Sequence, residues 1–144
     1  MIAAIDPGSK KTGVAVLKED GTLLSKAIVH TTALEAEMVD LLNHYDIKTI
    51  VMGNGTHHEE LQRRVEQAAG AAGYHIAVQL VNEKYTTEMG QKRYWREHPL
   101  KGLSRLIPVS FRTVPEPVDD YVAWIIGEIY LGRVKAEDVG HKKV

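Results

Sequence analysis

Three acids occupy positions where chemistry could be done. Asp6 closes the first apolar run, in MIAAIDPGSKKTGVAV; Glu83 closes a later one, in IAVQLVNE; Asp119 opens the last apolar stretch, in PVDDYVAWII. Carboxylates drawn together from remote stretches repel one another and lose hydration, so a fold keeps them close mainly where a cation compensates. Oxygen donors alone suit a hard ion such as Mg²⁺ or Mn²⁺. Two such ions, roughly 4 Å apart, can activate water and stabilise the leaving oxygen in phosphodiester hydrolysis. Each acid also has an ordinary structural role. Asp6 before Pro7 and Gly8 suits a turn, Glu83 a solvated strand end, and Asp119 the first turn of a helix, where the dipole favours it. The coincidence of all three at element ends is what points to a site.

The elements that would position them follow from hydrophobic period. Residues 1–6 and 12–18 read as strands. Asp20-Gly21 is a hairpin turn signal, which makes 22–30 a third, antiparallel strand. From Thr31 the period becomes helical: Leu34, Met38, Leu41 and Leu42 predict a helix over 32–45, capped by Thr31 or Thr32. The unbroken apolar run 47–53 predicts a strand covered on both faces. A helix capped by Thr56, with Glu59 completing a capping box, carries Leu61, Val65, Ala68 and Ala69 on one side and ends near Gly70 or Gly73. Residues 74–83 read as a strand running into Glu83, and Thr86 or Thr87 starts a basic helix to about Glu97. Residues 98–117 hold four of the five prolines and read as loop. A final helix covers 118–133, and the polar tail 135–144 is expected to be loosely held beyond a single domain of 1–134. Three meandering strands followed by right-handed crossovers predict a mixed five-stranded α/β sheet with helices on both faces. Its first three strands are antiparallel. If strands one, four and five are parallel neighbours, Asp6 and Glu83 emerge at one edge, outside the carboxyl ends where α/β sheets build their sites.

Composition narrows the classes. The chain has 144 residues, 44% of them hydrophobic and 26% charged, which is ordinary for one globular domain. It has no cysteine, so disulfides and thiolate zinc sites are excluded, and a reducing cytoplasm is the expected compartment. The first apolar run is too short for a signal peptide or a membrane span. Charge is unevenly spread: between Lys84 and Arg112 seven basic residues face two acids, a balance of +5 within a total of −1.

Three motifs carry a family resemblance. AIDPGSKKTGVAV resembles the D-x-G-x-x-R/K-x-G strand end of the RuvC-like and YqgF branch of the ribonuclease-H-like superfamily. LVNEKYTT resembles that family's V-D-E-R-x-T-T, with Asn82 where an acid is usual and Lys84 where arginine is usual. PVDDYVAWIIGEIYL resembles its closing helix, with Ala123 keeping one of two paired alanines and Val122 replacing the other. The resemblance implies a metal-dependent, structure-specific nuclease with Asp6, Glu83 and Asp119 as catalytic metal ligands. Its substrate would be branched DNA of the Holliday-junction kind or a precursor ribosomal RNA. RuvC-like resolvases carry a further acid one turn before the aligned aspartate, and Glu116 stands at that offset. This makes Glu116 a fourth candidate ligand, with Asp120 a spare carboxylate. The resemblance also implies a two-fold homodimer.

The basic segment fits a nucleic-acid partner. Lys84, Lys92, Arg93, Arg96, Lys101 and Arg105 offer phosphate contacts, interleaved with Tyr85, Tyr94 and Trp95 as stacking surfaces or core. Lys10 and Lys11, in the first loop, could hold a phosphate beside the metals. His57-His58-Glu59 reads as the surface start of a helix, because adjacent helical side chains diverge. Gly53, Asn54 and Gly55 lack the lysine and spacing of a phosphate-binding P-loop; the resemblance implies that this strand end is a tight loop shaping the site. Two other functions compete. One is a non-catalytic nucleic-acid-binding module that keeps the fold, which the Asn82 departure leaves open. The other is a phosphotransferase of the actin and sugar-kinase kind, since Asp6-x-Gly8-x-x-x-x-Gly13 matches their phosphate loop; those proteins need two such domains around a nucleotide.

Overall fold

Alternation along each strand decides which helices cover which face. In β1 (Ile2–Asp6), Ala3 and Ile5 join one buried cluster while Ile2 and Ala4 join the other. β2 (Lys11–Leu17) and β3 (Leu23–His30) complete an antiparallel meander with β1. β4 (Thr49–Gly53) and β5 (Val78–Val81) extend the sheet parallel to β1, giving the order β3-β2-β1-β4-β5. This computed structural model describes residues 1–55, 58–84, 86–100, 102, 106 and 116–133.

Helices α1 (Leu34–His44) and α2 (His58–Ala71) cover the Ala3 and Ile5 face through Leu34, Met38, Leu61 and Val65. Helices α3 (Thr86–Glu97) and α4 (Asp119–Tyr130) cover the opposite face through Tyr94, Val122, Ala123 and Ile126. Both faces of β1 and β4 are therefore dry, which is why their sequences are continuously apolar rather than alternating. Each fully buried aliphatic side chain stabilises by about 1.5–3 kcal/mol relative to exposure, so the two clusters together hold the sheet between its helix layers. This is the ribonuclease-H-like arrangement expected from the order of elements. Among the described residues no helix is long and apolar enough to cross a membrane.

Local departures have identifiable causes. β5 is shorter than the predicted 74–83, because it pairs only with β4 and its register runs from Val78 opposite Ile50 to Val81 opposite Gly53. At its first residue, the Val78 amide donates to Glu66 of α2 at 2.8 Å. Glu83 consequently lies beyond the strand, not at its last position. Thr31 does not cap α1, which is preceded by a 3-10 turn at Thr31–Ala33 without a side-chain cap. Its hydroxyl donates to the Gly8 carbonyl at 2.8 Å and accepts from Thr12 at 2.8 Å, while the Gly8 amide reaches Thr12 Oγ1 at 3.4 Å. That closed ring of bonds accounts for two buried threonines and fixes the loop that follows Asp6. The proposed Thr56 cap, His57, Tyr85, Lys101, Arg105, Arg112 and the 135–144 tail lie outside the described residues.

Candidate active site

Asp6 sits at the end of β1 because that strand's apolar run stops there, and in the antiparallel ladder its partner is Gly13 of β2. A Cβ built on Gly13 would run into the Asp119 carbonyl oxygen. The missing side chain lets the first turn of α4 rest directly on the β2 backbone, which brings Asp119 to the sheet edge beside Asp6. Glu83 arrives from the other side. Asn54 bonds past the end of β4, its amide to the Val81 carbonyl and its side chain to the Glu83 amide at 3.2 Å. The Glu83 carboxylate then folds back over β4: a Cβ at Gly53 would collide with its Oε1, and one at Gly55 with its Oε2. Thr86 closes the turn by donating to the Glu83 carbonyl at 2.6 Å.

The electrostatics show that these charges feel one another. The Asp6 carboxyl is pushed up to about 8, first by burial and then by repulsion from Glu83 and Asp119. Burial raises Glu83, partly offset by a hydrogen bond from the Gly55 backbone and by nearby His58. Asp119 is raised by burial and by Asp120, against a lowering pull from Lys11. Glu83 Oε1 is buried with no hydrogen-bond partner among the described residues. An orphaned carboxylate oxygen in a cradle of two glycines, beside a second acid kept uncharged first by burial and then by its neighbours, supplies oxygen donors of the kind a hard cation takes. Among the described residues, however, no three histidine, aspartate or glutamate side chains are set closely enough to hold a metal as they stand. The acids converge in pairs around Asp6 without forming a closed chelate.

Asp120 forms an ion pair with Lys26 of β3 at 2.7 Å. Glu116 is exposed and is absent from the charges acting on Asp6; its influence falls on the Tyr94 hydroxyl, raised by burial and then by Glu116. The Asn82 side chain accepts from the Lys84 amide at 3.0 Å, a turn contact.

The basic residues divide by helix face. Lys92 and Arg96, one turn apart on α3, are exposed and line a cleft of about 260 Å³ with Met89, Arg93 and Ile125. Arg93 is more buried than Lys92 and Arg96. Its side chain is 10% exposed, donates to Glu128 of α4 at 2.7 Å and lies over the Trp124 ring at 4.4 Å. It fastens α3 to α4 through Glu128 and Trp124. Tyr94 is core. Lys10, Lys11 and Lys84 are exposed, and Lys11 borders a shallow cavity of about 320 Å³ with Ile28, Val29, His30 and Pro117.

Sequence reasoning missed one residue. His58, set aside as a surface helix start, is half-buried, and its Nδ1 lies 2.7 Å from the Gly55 carbonyl, on the glycine that cradles Glu83. The one sequence signal available was its position just after the Gly53-x-Gly55 loop.

Residues 1–88 match the family described as the Tex protein YqgF-like domain. No curated protein matches the chain. Among solved structures, the chain is similar to Thermus thermophilus RuvC at 16% identity and a TM-score of 0.47, covering 90% of this chain and 93% of that one. It is also similar to a putative sugar kinase from Cytophaga hutchinsonii at 12% identity and a TM-score of 0.44, where it spans only 38% of the kinase. A ROK family glucokinase from Streptomyces griseus, in complex with glucose and AMPPNP, gives 22% identity and a TM-score of 0.38, with 36% of that chain covered.

Proposed function

Because the chain belongs to the family of Tex protein YqgF-like domains, we propose that it is a divalent-metal-dependent endonuclease of the Holliday-junction-resolvase-like kind. It would hydrolyse phosphodiester bonds in branched DNA or structured RNA. The observation that carries this reading is the convergence on Asp6: a carboxyl at the end of the central strand, buried and repelled by Glu83 and Asp119. Such an arrangement is costly for a fold unless positive charge is supplied.

Asp6, Glu83 and Asp119 would hold one or two Mg²⁺ or Mn²⁺ ions. A divalent cation bound there supplies Lewis-acid stabilisation of the charge that grows on the phosphate and its leaving oxygen. The chain's own residues do the rest. Gly53 and Gly55 keep the Glu83 carboxylate folded over the strand end. The Gly8, Thr12 and Thr31 ring keeps the Asp6 loop in one conformation. Lys11, already acting on Asp119, would meet the phosphate from the β2 side, with Lys10 beside it. Lys92, Arg96 and Lys84 would contact the nucleic-acid backbone further along.

Cleavage of four-way DNA junctions and of structured precursor ribosomal RNA, in Mn²⁺ and in EDTA, tests the reading. Wild type should cut in Mn²⁺ and not in EDTA, and Asp6→Asn should be inactive while folded. Equal cutting by both proteins would remove the mechanism. The alternative is a nucleic-acid-binding module without catalysis, favoured by the absence of a closed chelating group among the described residues. Binding that persists in EDTA, with no substrate cut, would establish that alternative instead.

A further inference from the structure

We propose that the cleft between α3 and α4 is a nucleotide pocket, taking a base beside Arg93 and that nucleotide's phosphate at Lys92 and Arg96. The inference rests on the reading that this helix meets nucleic acid. It does not depend on the acidic edge holding a metal.

The cleft has a volume of about 260 Å³ and is lined by Met89, Lys92, Arg93, Arg96 and Ile125. Arg93 is held there from two directions: Nη2 donates to Glu128 at 2.7 Å, and the guanidinium lies over the Trp124 ring at 4.4 Å. Its Nη1 is buried and has no hydrogen-bond partner among the described residues. A buried donor left open is costly, and on a residue that lines a cleft it can be satisfied by an acceptor that enters. Glu128 already balances the Arg93 charge, so the open N–H suits a neutral acceptor better than a second anion. Lys92 and Arg96 differ. Both are exposed, and neither is ion-paired with another described residue, so negative charge on a ligand would be met by them.

Three demands therefore fall on one small ligand: a neutral acceptor, an anion, and a body that tolerates apolar walls. Those walls are Met89, Ile125 and the hydrocarbon stems of the cationic side chains. Inorganic phosphate offers only the charge, and a purely apolar molecule leaves Nη1 open. A nucleotide meets all three, since ring nitrogens and carbonyl oxygens accept, the ring faces are apolar, and the phosphate is the anion. The volume lies below the roughly 300–1,000 Å³ of pockets for drug-sized ligands, which suits a single nucleotide and not a paired stretch. Within a strand, only a base that has left its stack could enter. A free mononucleotide carries the same chemistry.

Fluorescence anisotropy of the full chain in EDTA, where no metal-dependent cutting consumes the probe, tests the pocket. The probes are three labelled DNA duplexes: one with a single unpaired thymidine, one with an abasic residue at that position, and one fully paired. The unpaired thymidine should bind more tightly than the abasic duplex, on the order of tenfold. With 5-iodouracil at the unpaired position, irradiation should crosslink the strand to α3 or α4. Displacement by thymidine monophosphate, at concentrations where inorganic phosphate has no effect, assigns the pocket to free nucleotides as well. Base dependence without such displacement assigns it to strands alone. Equal affinity for thymidine and abasic duplexes with no displacement, or crosslinks confined to other elements, overturns the pocket and leaves nucleic-acid binding standing. A chain that binds none of the duplexes overturns both.

Discussion

Gly13 faces Asp6 across the β1–β2 ladder, and the space where its side chain would be is filled by the Asp119 backbone. Two acids more than a hundred residues apart in the chain are neighbours because one residue between them has no Cβ. Gly13→Ala should therefore act on both stability and site. Overpacking against a backbone carbonyl costs about 1–3 kcal/mol, seen as a lower denaturant midpoint. The displaced α4 would carry Asp119 away, so Mn²⁺ affinity should fall even at temperatures where the variant is fully folded. A variant that binds Mn²⁺ as wild type does would show that Asp119 is not a ligand.

The acid at the strand end also makes a pH prediction. Asp6 has an ordinary carboxyl value when unfolded and about 8 when folded. Between those values the native state holds a proton that the unfolded chain has lost. Stability in EDTA should thus be greatest in mild acid and fall as pH rises toward 8, by at most about 1.4 kcal/mol per unit for one proton. Asp6→Asn should flatten that slope and be more stable than wild type at pH 8. Urea titrations across pH in chelator measure it; a slope that survives in Asp6→Asn would assign the effect to other groups.

Much of this architecture was readable from residue periodicity. The strand pattern of 1–30, the Asp20-Gly21 turn and the helical runs of α1, α2 and α4 all appear near their expected positions, because each has a buried face of one clear period. Asp6 was legible as a strand-end charge and Asp119 as a helix-start charge, whereas Glu83 stands past the end of β5. What could not be read was anything decided by a partner. The length of β5 was set by where β4 ends, and Thr31 left its capping role for Gly8 and Thr12. Arg93 looked like its neighbours Lys92 and Arg96, yet one step around the helix turned it to Glu128. His58 was judged against His57, its sequence neighbour, whereas its meaningful neighbour is Gly55, reached through a turn.

The glycine pair after β4 can be tested separately from the fold. In Gly55→Ala the new methyl would first meet the Glu83 carboxylate, the movable end of a long side chain. The side chain can swing out, so stability should change by less than about 1 kcal/mol, as for most substitutions outside the core. The cradle would nevertheless be gone, and metal-dependent cleavage should drop sharply. Differential scanning calorimetry beside a cleavage assay makes the comparison. Full activity in Gly55→Ala would mean that the folded-back position of Glu83 is not the working one.

Two residues on α3 that look alike in sequence should behave as opposites. Arg93 is 10% exposed and its partner Glu128 14% exposed. Arg93→Ala would leave that carboxylate buried without its cation and remove the Trp124 stack, a loss of about 3–5 kcal/mol of the kind seen for broken buried pairs. Lys92 and Arg96 are exposed, so Lys92→Ala and Arg96→Ala should leave stability within about 0.5 kcal/mol. Their effect should appear in nucleic-acid binding, where each lost phosphate contact lowers the slope of log K against log salt by about 1. Fluorescence anisotropy with a labelled junction at several salt concentrations reads the slope, and denaturation reads the stability. If Arg93→Ala changed the salt slope and left stability alone, the division of this helix into a fastening face and a binding face would be wrong.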